Sequence, residues 1–131
     1  MTSRWMIVAA VAIGIAVALG LGRWWQISRT GSRLPQTLTV RAVDLSFEPA
    51  EATLRAGEVT VTLTNAGTLE HNFVLTDAAG KDLFGIPEIS SFLRTGQSAV
   101  RAVRLAAGTY PYYCHYQSHY QLGMKGVLVV K

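Results

Sequence analysis

Past residue 36 the chain alternates apolar and polar positions in short runs. Val59-Thr60-Val61-Thr62-Leu63-Thr64 is strict, with an apolar side chain at every odd position and threonine at every even one. Because successive side chains of a strand point to opposite faces, this pattern predicts a strand with one buried face. Similar runs predict strands over 37–45, 52–54, 72–76, 98–105, 109–113 and 126–130. Gly57, Asn65-Ala66-Gly67, Ala79-Gly80 and Ala107-Gly108 fall between them as turn signals. Seven short strands so spaced predict an all-β domain, a sandwich or Greek-key barrel. Only 81–95 breaks the pattern. Its Pro87-Glu88-Ile89-Ser90-Ser91-Phe92-Leu93 reads either as one or two helical turns entered at Pro87 or as a structured loop.

The amino-terminal pattern is of another kind. Trp5 to Gly22 carries no charge and is rich in Ala, Val, Ile and Gly, long enough to just span a bilayer as a helix. Trp24-Trp25 follows, as an interfacial aromatic belt would. Residues 1–26 are therefore expected to be a single transmembrane helix, with a secretory signal cleaved near Ala18-Leu19-Gly20 as the alternative. Residues 27–36 read as a polar linker, and 37–131 as one domain with one core. Arginines flank the apolar run on both sides, so charge alone does not orient it.

Composition narrows the partners. The formal net charge is +4. Four arginines (4, 23, 29 and 33) lie at or beside the apolar segment, however, and residues 35–131 balance five Arg and three Lys against eight Asp and Glu. A neutral domain with interspersed charges has no basic stripe for a phosphate backbone, so no nucleic acid partner is expected. The basic excess suits anionic lipid headgroups at a membrane.

The chemistry is concentrated in one run. Cys114 is the one cysteine, and Cys114-His115-Tyr116-Gln117-Ser118-His119-Tyr120-Gln121-Leu122-Gly123-Met124 has the spacing C-x4-H-x4-M. A thiolate, an imidazole and a thioether on one short loop form a soft donor set suited to copper, and a His2Cys trigonal site needs one more imidazole. Of the three histidines, 71, 115 and 119, His71 is the one placed elsewhere in the fold. Period-two alternation puts Tyr110, Tyr112 and Cys114 on the core face and turns His115 away, and a turn of the chain through 115–124 brings His119 and Met124 round the same metal. Gln117 and Gln121 stand as alternative axial donors to Met124.

These residues resemble the cupredoxin family of small blue-copper proteins over essentially all of 37–131. The matching pieces are Phe47-Glu48-Pro49, Asn65-Ala66-Gly67 leading to His71-Asn72-Phe73, Gly108 through Cys114, and His119 through Gly126. The Cys-to-His gap looks more like the rusticyanin and auracyanin type than plastocyanin. The resemblance implies a cupredoxin-like Greek-key fold, one mononuclear type 1 copper held by His71, Cys114, His119 and Met124, and a bracing role for Asn72 on the cysteine loop. It also implies that His119 is the ligand nearest solvent. One departure stands out: Gln117-Ser118 occupies the place where such proteins usually have Pro-Gly.

A closed four-ligand site has no open position for substrate, so the expected function is one-electron transfer rather than catalysis. Redox proteins such as a c-type cytochrome or a membrane oxidase or reductase complex are the expected partners of a monomeric copper domain on the periplasmic or extracellular side of the cell membrane. Tyr116, Tyr120 and Leu122 are a candidate docking patch. The alternative is an extracytoplasmic copper carrier or chaperone delivering metal to a membrane oxidase. A copper nitrite reductase would need a second copper site and more histidines than the chain has.

Overall fold

The computed structural model describes residues 34–131; the expected anchor at 1–26 and most of the linker lie outside them. Leu34–Lys131 form a compact unit of nine strands, with no helix among the described residues. The strands are β1 (Gln36–Val43), β2 (Ser46–Glu48), β3 (Glu51–Leu54), β4 (Gly57–Asn65), β5 (Phe73–Thr76), β6 (Asp82–Ile86), β7 (Ser98–Leu105), β8 (Gly108–Tyr113) and β9 (Lys125–Val130). One sheet has the order β2-β1-β4-β7, the other β3-β9-β8-β5-β6. The chain passes repeatedly from one sheet to the other, which is why β1 lies parallel to β4 and β3 parallel to β9. The all-β sandwich expected from the alternation is what forms.

Alternation sets the core. Val59, Val61 and Leu63 of β4 are buried, and Leu38, Val40 and Ala42 of β1 join them. Phe73, Leu75, Tyr112 and Leu128 meet these from the opposite sheet. Three rings lock the middle: Phe73 stacks on Tyr112 at 4.7 Å between centroids, and Phe47 meets both edge-on. Edge-to-face and offset geometries of this kind each add about 1 kcal/mol beyond area burial. Tyr112 also needs a glycine opposite it, because a Cβ on Gly126 would run into the ring and into the Ala50 carbonyl. Where the free edges of β6 and β7 meet, Arg101 lies over the Phe84 ring at 5.2 Å and donates to the Gly85 carbonyl at 3.3 Å. An inward-pointing charge on an edge strand also discourages pairing with another chain.

Two strands, β2 and β6, go beyond the seven predicted. Each is short, and β6 lies in the segment that breaks the alternation. Residues 87–93 take the structured-loop alternative rather than helical turns. Their carbonyls have other partners: Asn72 Nδ2 donates to the Ile89 carbonyl at 2.7 Å, and Leu93 forms a backbone bridge with His71. A helix would withdraw those carbonyls into its own ladder.

Candidate metal centre

The site sits at one end of the sandwich, where the β4–β5 connection and the β8–β9 loop meet. Cys114 follows the last residue of β8 and, two positions beyond Tyr112, shares its buried face. Its backbone N–H donates to the Met124 carbonyl at 3.1 Å, and the Met124 N–H donates to the His119 carbonyl at 2.9 Å. The loop closes on itself through consecutive turns. Gln117 adopts a left-handed backbone with φ of 45° and Gly123 one with φ of 105°. The Gln117-Ser118 pair thus makes its turn without a Pro-Gly.

Three donor atoms converge. His71 Nδ1 and His119 Nδ1 are 3.2 Å apart, and Cys114 Sγ lies 3.8 Å from the first and 3.6 Å from the second. A point equidistant from all three lies about 2 Å from each, close to metal–imidazole and metal–thiolate bond lengths. The residues fit a metal ion, and a soft one given the sulfur. Met124 is fully buried in the same cluster as Cys114, whereas Gln117, Gln121 and His115 are exposed. The His115 ring turns toward Tyr113, 6.2 Å away, and only its backbone serves the site, donating to Asn72 Oδ1 at 2.7 Å.

A sequence model of the cupredoxin-like domain matches residues 14–130. The chain belongs to the cupredoxin-like family. A plastocyanin from Scenedesmus fuscus is 33% identical to it over 89 residues, covering 66% of this chain and 88% of the relative. The copper-resistant cuproprotein CopI of Rubrivivax gelatinosus is 30% identical over 122 residues, 79% of this chain and 72% of CopI. Among solved structures, dithionite-reduced auracyanin from Roseiflexus castenholzii superposes with a TM-score of 0.64 at 25% identity, covering 73% of this chain and 97% of that one. Auracyanin A of Chloroflexus aurantiacus, described as a "blue" copper protein, gives 0.63 at 25% identity over 75% and 100%. A single copper is the cofactor of this cupredoxin, and the donor triangle is where it fits.

Burial governs the electrostatics of the cupredoxin's site. It pushes the His71 imidazole down to about 4, aided by the nearby His119 and opposed by Asp44. Burial also lowers His119 and raises the Cys114 thiol. Backbone N–H groups of Asn72 and Tyr116 act against burial at the sulfur, favouring thiolate. In the metal-free chain all three donors are thus disposed to be neutral, and copper loading displaces a thiol proton.

Sharing a strand face with Cys114 does not put a side chain at the copper. Tyr110 is four residues up β8 from Cys114, roughly 13 Å at strand rise, and its hydroxyl donates to the Ala106 carbonyl at the opposite end. Tyr112 and Phe73, each two residues along the chain from a donor (Cys114 and His71), are fully buried. Three contributors escaped the sequence reading. Phe92 packs edge-on against Tyr116, which in turn packs edge-on against His119 at 5.1 Å. Asp44 accepts from the Thr68 N–H and hydroxyl, tying the β1–β2 turn to the loop before His71. Asn65, read only as part of a turn signal, is fully buried and hydrogen-bonded throughout.

Proposed function

We propose that the protein is a membrane-tethered one-electron carrier in which His71, Cys114, His119 and Met124 hold the copper. The observation that carries this reading is the closed donor triangle. His71, Cys114 and Met124 are fully buried and His119 is only 4% exposed, which leaves no approach for a substrate. Bound there, copper supplies one-electron exchange between its cuprous and cupric states. The protein's part is to keep the donors still, so that little rearranges on exchange, and to exclude water, which helps set the potential. His119, under Tyr116, is the donor nearest the surface, and Tyr120 and Leu122 on the same loop are 49% and 62% exposed. That small apolar patch suits a brief encounter with a c-type cytochrome or a membrane oxidase or reductase complex. In this reading residues 1–26 anchor the chain and 27–36 tether a monomeric domain, 37–131, on the extracytoplasmic side.

A second reading, a copper carrier that hands metal to a membrane oxidase, draws on the likeness to a copper-resistance cuproprotein. Both readings are tested on the 131-residue chain in mild detergent, loaded with copper and mixed with reduced cytochrome c. The electron carrier takes electrons while retaining its metal through repeated cycles. A chain that releases cuprous ion to a modest chelator and exchanges no electrons would favour the carrier of metal.

A further inference from the structure

The His71 ring lacks the anchorage such a ligand normally has. A metal-bound imidazole almost always donates its second ring N–H to a carbonyl, carboxylate or water, which fixes the ring's direction. His71 Nε2 is buried and has no hydrogen-bond partner among the described residues. With no such bond, its pose rests on the packing around the buried ring and on the backbone that carries it.

That backbone is held chiefly through Leu93 and Asn65. His71 donates to the Leu93 carbonyl at 3.1 Å and accepts from the Leu93 N–H at 2.7 Å. The same Leu93 carbonyl accepts from Asn65 Nδ2 at 2.8 Å, and the same Nδ2 donates to the Leu69 carbonyl, two residues before His71, at 2.6 Å. Asn65 Oδ1 accepts the Gly67 N–H at 2.9 Å, and its backbone pairs with Gln97 and Gly96. One buried carboxamide therefore joins the end of β4, the loop entering His71 and the loop that bridges to it. Only a side chain that is both donor and acceptor fits. A carboxylate would face two carbonyls, and an apolar side chain would leave Leu69, Leu93 and Gly67 each short of a bond.

We propose that Asn65 is the positioning residue of the copper centre, holding the His71 loop in place of the missing hydrogen bond at Nε2 and so fixing the direction from which Nδ1 meets the metal. This rests on His71 being a copper ligand. Asn72 has the complementary task, tying the 88–89 segment to the cysteine loop through Ile89 and His115.

The test compares Asn65→Ala and Asn65→Asp with Val130→Ala, a buried truncation at the far end of β9. Copper affinity, the thiolate-to-copper absorption band and the reduction potential are read on the copper-loaded 131-residue chain. Both Asn65 variants are expected to weaken copper about tenfold or more and to shift band and potential. Asn65→Asp falls with Asn65→Ala because it keeps only the Gly67 contact. Val130→Ala lowers stability and moves neither spectroscopic readout. Asn65→Ser, with one hydroxyl donor, serves the same comparison should Asn65→Ala not fold. Parental affinity, band and potential in any folded Asn65 variant would overturn the proposal. His71→Ala separates the two layers: a lost band there beside an unchanged Asn65 variant sinks only the role of Asn65, whereas a retained band sinks the ligand reading and the Asn65 role together.

Discussion

The two arms of the copper centre are built on different plans. The His71 arm is held by distant parts of the chain: Asn65 closes over Leu69 and Leu93, Leu93 bridges His71, and Asp44 ties down Thr68. The arm from Cys114 to Met124 is largely self-contained, its turns bonded within the loop and its outer side chains exposed. One arm is rigid because several segments converge on it, and the other can present a surface because its own backbone keeps it shaped. The inner arm thus positions His71 through several segments, and the loop positions Cys114, His119 and Met124 through its own turns while its outer side chains stay exposed.

The largest break in this contrast is expected at Asn72, where the two arms are joined. Asn72→Ala takes the partners from the His115 N–H and the Ile89 carbonyl, both part-buried; at 1–3 kcal/mol for a fully buried group left without a partner, discounted for that partial exposure, the loss is about 3 kcal/mol. Urea denaturation of the copper-loaded chain measures it, and a loss confined to a few tenths would mean that the arms are not coupled there.

Protonation probes the interior arm most strongly. In the copper-free chain His71 is pushed down to about 4 from its ordinary 6.5. Between those values the unfolded chain binds a proton that the folded chain refuses. Stability is therefore full above pH 6.5 and declines as the pH falls through 4, by about 3 kcal/mol. His119, lowered by burial too, acts in the same direction. Urea midpoints of the copper-free chain at pH 7 and pH 4 show the decline, and His71→Gln is expected to flatten it. An equal slope in His71→Gln would assign the effect elsewhere.

The smallest change sharpens the outer arm. His115→Ala removes an exposed ring whose aromatic neighbour is Tyr113, so stability is expected to stay within about 0.5 kcal/mol and the absorption band to keep its position. A bleached band would place His115 among the ligands and undo the division between the arms.

What the sequence displayed divides along the same line. The outer arm could be read from C-x4-H-x4-M because its donors are local, and strand parity alone turned His115 outward. The sandwich could be read from alternation, as in Val59 to Thr64, because the period reports burial directly. The inner arm was hidden: the bond between Asn65 and Leu93 spans 28 residues and that between Asn72 and Ile89 spans 17. Nothing in Asn-Ala-Gly distinguishes a buried hub from an ordinary turn. Strand β6 escaped for a related reason, since its burial comes from the site end and Arg101 rather than from a regular face. Tyr110 shows the limit of parity, which gives the face of a strand but not the distance along it.

The most direct measurement is the visible absorption of the copper-loaded chain, recorded beside Cys114→Ser and through a reductive titration. An electron carrier built on this donor triangle shows an intense thiolate-to-copper band that one electron bleaches reversibly and that Cys114→Ser lacks. A colourless parent complex, or a band that survives the loss of Cys114, would contradict it.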